Sequence, residues 1–186
     1  MITLITGGSG SGKSSYAENL LTSFPGGNRI YIATMFPYDQ ESFARIDRHR
    51  AMRAEKQFHT IECYTGLKKV KLPPKAHVLL ECMSNLVANE MFQEDGAHED
   101  TVEEILAGID NLASQAEELV IVSNEIAADG VCYDPESQCY QQYLGRINVE
   151  IAKKACQVTE VVYGIPIHFK KRQEHAGKEG KLNEGK

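Results

Sequence analysis

The chain has 186 residues, 42% hydrophobic and 25% charged, and its 20 basic and 26 acidic side chains give a formal charge of −6. That length suits one domain with a substantial core, and the acidic balance argues against nucleic acid as a partner, because the long-range field repels phosphate polymers. The absence of any run near ~18 apolar residues argues against membrane insertion; the five cysteines, odd in number and without CxxC spacing, argue against a disulfide framework or a zinc site.

In chain order, an apolar, β-branched run over residues 2–6 predicts a buried strand. It leads into Gly7-Gly8-Ser9-Gly10-Ser11-Gly12-Lys13-Ser14, which fits the phosphate-loop pattern GxxxxGK[ST]. The glycines let backbone N–H groups turn toward an anion, and the next helix points its positive end at it. Lys13 is placed to reach the β- and γ-phosphates of ATP or GTP, and Ser14 to ligate Mg²⁺. A helix over 13–24 follows, stopped by Pro25-Gly26-Gly27. The second strand is read over 29–34.

The pattern over 40–57 predicts a helix carrying Arg45, Arg48, His49, Arg50 and Arg53. Arg45, His49 and Arg53, spaced i, i+4, i+8, share one helical face. Cations around an imidazole disfavour the imidazolium, so His49 tends to be neutral and nucleophilic, while the arginines can hold phosphate oxygens. Periodicity alone favours a solvated basic face with one stray histidine.

The third strand, 77–82, follows Pro73-Pro74 and nearly ends on Glu81, a metal-shell or base candidate beside the phosphates. A helix over 101–117, a strand over 119–123 with Asn124 and Glu125 behind it as weaker candidates, a helix over 135–155 and a strand over 160–164 complete the pattern. Residues 171–186, rich in Lys, Glu and Gly, read as a disordered tail, leaving 1–170 as the catalytic domain. Strand–helix alternation predicts a single α/β domain, P-loop NTPase-like, with a mostly parallel sheet and helices on both faces. The N-terminus lacks the pattern of a signal peptide, so the cytoplasm is the expected location.

Several ordered pieces resemble the bifunctional adenosylcobinamide kinase/adenosylcobinamide-phosphate guanylyltransferase family of cobalamin biosynthesis. They are the phosphate loop, Tyr31-Ile32-Ala33-Thr34, Arg45-Ile46 with His49-Arg50 and Arg53, and Thr60-Ile61-Glu62. Leu79-Leu80-Glu81-Cys82 with Asn89, Val122-Ser123-Asn124-Glu125, Gly145-Arg146-Ile147-Asn148 and the run from Val161 to Pro166 extend the resemblance over about residues 2–170. It implies that a nucleoside triphosphate phosphorylates adenosylcobinamide, and that GMP then passes from GTP to that phosphate through a guanylylated histidine, which falls on His49. It further implies nucleotide contacts at Ala33, Thr34, Arg50, Arg53, Glu62 and Glu81 beside Gly7–Ser14, with Mg²⁺, GTP and ATP as companions. A homo-oligomer, a trimer in the family, is expected.

Three positions depart from the family pattern. Gly10 replaces an arginine of the loop, Phe58-His59 stands where a tryptophan is common, and residues 126–132 lack the family's glycine-rich run to Val-Pro. The first removes or moves a phosphate contact, and the last alters a loop at the active-site rim. Two other readings fit parts of the pattern: a P-loop kinase of another small substrate, which gives His49 no role, and an inactive nucleotide-binding regulatory protein.

Overall fold

The computed structural model describes residues 1–38, 40, 43, 46–47, 50–51, 56–126 and 133–172. Seven strands form one sheet: β1 (Ile2–Thr6), β2 (Asn28–Ala33), β3 (His59–Glu62), β4 (Ala76–Glu81), β5 (Ala116–Val122), β6 (Gln157–Val162) and β7 (Ile165–Lys170). Their order is β3-β2-β4-β5-β1-β6-β7, and every pair is parallel except β6–β7. The helices are α1 (Lys13–Ser23), α2 (Met83–Phe92), α3 (Thr101–Gln115) and α4 (Pro135–Lys154). Gln40, Phe43, Ile46, Asp47, Arg50 and Ala51 also have helical backbone.

Strand side chains alternate between two apolar clusters, as the two-residue period requires. Leu4, Ile30, Ile32, Val78, Leu80, Leu119 and Ile121 join residues of α2, α3 and α4 on one face. Ile5, Tyr31, Leu79, Val120, Val122 and Val161 join Ala17 and Leu21 of α1 on the other. Both faces are therefore covered, which is why the central strands read as continuous apolar runs. α4 is started by Asp134, whose carboxylate accepts from the N–H groups of Glu136 and Ser137, with Pro135 in the first turn.

The α/β class, the mostly parallel sheet and the two-sided helix cover are as expected, but three elements are additional. β3 is a short edge strand with exposed, polar residues, so it lacks a burial signal. β7 returns antiparallel from β6 through Tyr163 and Gly164, whose φ values of 52° and 80° match a type I′ hairpin turn. It carries Pro166, tolerated on an edge, and all six of its residues are exposed. α2 buries Met83, Leu86 and Val87 at helical spacing. Three boundaries are also corrected: the strand predicted over 160–164 is β6, with Tyr163 and Gly164 in the turn after it, and two predicted helices end early. The stretch predicted as helix to 117 turns into β5 at Ala116, because Ala116–Val122 extends alongside β4 and β1. The stretch predicted as helix to 57 has given way to a tighter turn by Lys56, and Gln57 has φ 56°. The predicted tail lies outside the described residues from 173 onward. Among the described residues, no helix is long and apolar enough to cross a membrane, and Cys63, Cys82, Cys139 and Cys156 are free thiols.

Candidate nucleotide site

The carboxyl ends of β1, β2, β3 and β4 carry the site. The phosphate loop leaves β1 through Gly7, where φ is 150° and a Cβ would stand 2.5 Å from the carbonyl oxygen of Val161. Only glycine fits so close to another strand's backbone. Gly12 enters α1 with φ 91°, and α1 has neither a side-chain cap nor an acidic residue in its first turn. Its first N–H groups and positive end are thus left facing the loop, the usual cradle for an anion. The loop is braced from the sheet's far side, since the Gly164 N–H donates to the Ser11 carbonyl.

Lys13 is buried, and its Nζ donates to the Gly8 carbonyl at 2.9 Å, so the ammonium lies across the loop. Burial pushes its pKa down, while the neighbouring Cys82 and Glu81 act in the opposite sense. Ser14 Oγ donates to Glu81 Oε1. The other carboxylate oxygen, Oε2, accepts from the Tyr31 hydroxyl at 3.2 Å. Glu81 is thereby held between α1 and β2 at the end of β4. Two hard oxygens, from Ser14 and Glu81, meet beside a lysine and a helix N-terminus, a donor set suited to Mg²⁺ shared with phosphates.

Parallel register sets Glu62 and Glu81 on either side of Ala33, in one row across β3, β2 and β4. A cavity opens over this row, lined by Ala33, Glu62 and Glu81 together with Arg50, Ile46 and Asn85. Arg50 Nη2 donates to Glu62 Oε1 at 2.6 Å, and the Tyr64 hydroxyl donates to Glu62 Oε2 at 3.0 Å. Burial, and then the Glu62 carboxylate, push the Tyr64 pKa up. Thr34 closes the β2 end: its N–H donates to the Glu81 carbonyl, and its hydroxyl both donates to the Cys82 carbonyl and accepts from the Cys82 N–H.

A family model described as cobinamide kinase / cobinamide phosphate guanyltransferase matches residues 3–169. The chain belongs to that family. It is similar to the bifunctional adenosylcobalamin biosynthesis protein CobU of Escherichia coli K12, 33% identical over 91% of this chain and 100% of the relative. The protein of that name from Salmonella typhimurium LT2 is 30% identical over the same shares. The bifunctional adenosylcobalamin biosynthesis protein CobP of Pseudomonas aeruginosa PAO1 is 30% identical, over 91% of this chain and 98% of the relative. These relatives support an enzyme role for the chain.

The geometry gathers Gly7, Gly8, Ser9, Gly10, Ser11, Gly12, Lys13, Ser14 and Glu81 at one end of the site, and Ala33, Thr34, Arg50 and Glu62 at the other. Glu81 belongs to both. His49 and Arg53 lie outside the described residues, as do Arg45 and Arg48. The weaker candidate Asn124 donates to Ser84 Oγ at 2.7 Å, in the first turn of α2. Three residues had no expected role in the site: Tyr31, which stands in a piece of the family resemblance and orients Glu81; Tyr64, which orients Glu62; and Asn85, which lines the cavity. Tyr31 reads as one more residue of an apolar strand, and Tyr64 and Asn85 follow strands in segments with no motif. Asn89 had a sequence signal in the family resemblance. Buried, it donates to the carbonyls of Thr34 and Tyr64 at 2.8 and 3.0 Å, tying the ends of β2 and β3 together.

Proposed function

We propose that the chain phosphorylates the aminopropanol hydroxyl of adenosylcobinamide with a nucleoside triphosphate, and then transfers GMP from GTP to that phosphate. The observation that carries this reading is the placement of Glu81. Through Ser14 it joins the phosphate loop, and it also lines the cavity that holds Arg50 and Glu62. One carboxylate therefore links a triphosphate cradle to a second chamber where an acceptor can meet it.

In the first reaction the loop N–H groups and Lys13 hold the triphosphate tail. Lys13 exchanges the Gly8 carbonyl for phosphate oxygens. The acceptor hydroxyl attacks the γ-phosphorus, the bridging P–O bond breaks, the nucleoside diphosphate leaves with that electron pair, and the hydroxyl proton passes to solvent. Ser14 and Glu81 would hold Mg²⁺, which supplies charge neutralisation along the phosphates. Catalysis rests on positioning and on stabilising charge.

In the second reaction, a neutral His49 nitrogen attacks the α-phosphorus of GTP. An N–P bond forms and the P–O bond to pyrophosphate breaks. A phosphate oxygen of adenosylcobinamide phosphate then attacks the same phosphorus, the N–P bond breaks, and adenosylcobinamide-GDP leaves. Arg50 and Arg53 stabilise the added charge. A homo-oligomer belongs to this proposal; the apolar row Ile165, Ile167 and Phe169 on the edge strand β7, 65%, 45% and 70% exposed, supports it.

The deciding experiment mixes protein, Mg²⁺ and GTP without corrinoid and follows intact mass and pyrophosphate. The expected result is a gain of one GMP, lost in acid and absent in His49→Ala. Bound GTP with no adduct would remove the covalent step.

A further inference from the structure

A second hollow, of about 780 Å³, opens beside the nucleotide cavity and shares Glu62 and Tyr64 with it. Phe36, Tyr38, Tyr64 and Phe92 give it aromatic surface. The Phe36 ring lies 4.8 Å from that of Tyr38 and 5.1 Å from that of Tyr64, edge-on to the latter. Tyr38 and Phe92 are 66% and 50% exposed, unusual for large rings that have no solvent role.

The hollow is framed by polar anchors, of which Asn89 and Glu90 are buried. Asn89 fixes the Thr34 and Tyr64 carbonyls, and Glu90, 1% exposed, accepts from the N–H groups of Gly66 and Ala97 at 2.7 and 3.0 Å. Thr65 Oγ1 donates to Asp95 at 3.0 Å, and Gln93 Nε2 donates to the Tyr38 hydroxyl at 3.2 Å. A surface braced in this way loses little conformational freedom when a ligand binds.

We propose that this hollow seats the corrin ring of the cobinamide substrate, with the aminopropanol arm running past Tyr64 and Glu62 into the nucleotide cavity. The proposal rests on the function argued above and adds the place of the acceptor. The chemistry matches part by part. A corrin is a broad disc with apolar, methyl-bearing faces, which aromatic rings cover well. Its rim carries amides, for which Gln93 and Lys69 offer donors and Glu94 and Asp95 offer acceptors. A cobalt(III) corrin with one carbanionic axial ligand bears a net positive charge, which Glu94 and Asp95 favour over a triphosphate. The volume lies within the ~300–1,000 Å³ of small-molecule sites, so part of so large a ring stays in solvent. Adjacency supplies the direction, because the arm's oxygen must reach phosphorus on the Glu62–Glu81 side.

The test uses Tyr38→Ala and Phe92→Ala in the full chain, with thermal melts confirming that these exposed positions leave the fold intact. Cobinamide affinity is read by equilibrium dialysis and visible absorption, and the GMP adduct from Mg²⁺ and GTP is read without corrinoid. Each variant should bind cobinamide about tenfold more weakly, raise KM rather than lower kcat in the kinase reaction, and form the adduct as the parent protein does. Tyr38→Phe, which keeps the ring, should restore affinity. Wild-type cobinamide affinity in both alanine variants, with the adduct intact, would overturn the corrin site and leave the function standing. A parent protein that forms no adduct and binds no cobinamide would overturn both.

Discussion

The Gly164 N–H donates to the Ser11 carbonyl at 2.8 Å, so the turn of the edge hairpin is a brace for the phosphate loop. Val161, on the same hairpin, presents its carbonyl to Gly7. The loop's glycines therefore differ in what they tolerate. A Cβ at Gly7 meets Val161 O at 2.5 Å and Ser11 Oγ at 2.7 Å, whereas one at Gly8 meets nothing within 4 Å. Gly7→Ala should weaken GTP binding about a hundredfold through loop displacement, and Gly8→Ala less than about threefold. Isothermal titration with Mg²⁺–GTP compares them directly; equal losses would mean that the hairpin does not shape the loop.

Glu81 is oriented by two hydroxyls of unequal consequence. Ser14 belongs to the phosphate loop, while Tyr31 donates to the carboxylate from β2. Glu81→Gln should lower phosphorylation of adenosylcobinamide by about two orders of magnitude with the fold intact, an effect of the size seen when a preorganised charged group is removed. Tyr31→Phe removes the hydrogen bond to Glu81, an effect of about 1 kcal/mol, so its loss should stay within about tenfold. Steady-state kinetics with both variants checks the ranking.

Arg50 and Glu62 are each about half exposed, at 53% and 47%, so their ion pair contributes at most about 1 kcal/mol to stability. Arg50→Ala should leave urea denaturation almost unchanged yet slow guanylyl transfer, and Arg50→Lys should not restore it, because lysine cannot present a planar two-point donor. Full activity in Arg50→Ala would make the pair purely structural.

Lys13 is buried in the phosphate loop, and that burial lowers its pKa. Lys13→Met should abolish phosphoryl transfer and raise the unfolding free energy at pH 7 by about 1 kcal/mol. Because burial lowers the folded-state pKa, the unfolded chain holds more protons between that lowered value and 10.5, and wild-type stability rises with pH across this window. The gap between variant and wild type should therefore narrow toward pH 10.5. Chemical denaturation of both proteins at neutral and alkaline pH measures it.

Phe169 is 70% exposed on a strand exposed on both faces. Phe169→Glu should lower the molar mass in light scattering if β7 forms the proposed subunit contact, and an unchanged oligomer would place that contact elsewhere.

The phosphate loop and the inner strands were legible in the sequence because their determinants are local. A glycine spacing defines the loop, and continuous apolar runs mark strands covered on both faces. β3 and β7 left no such mark, being edge strands whose pairing is supplied by β2 and β6 rather than by their own composition. The candidate acids Glu62 and Glu81 were named separately, on a family resemblance and on a strand-end position. That they stand in one row astride Ala33 follows from register, a property of three strands together. Tyr31 shows the limit most clearly. In sequence it is one more residue of an apolar strand, and it orients Glu81 only because β2 and β4, far apart in the chain, are neighbours in the sheet. Sequence by itself thus determined which local pieces can cradle phosphate and span the core. The tertiary structure alone decided which carboxylates, hydroxyls and turns meet there, because hydrogen bonds and register depend on distances that chain separation does not encode.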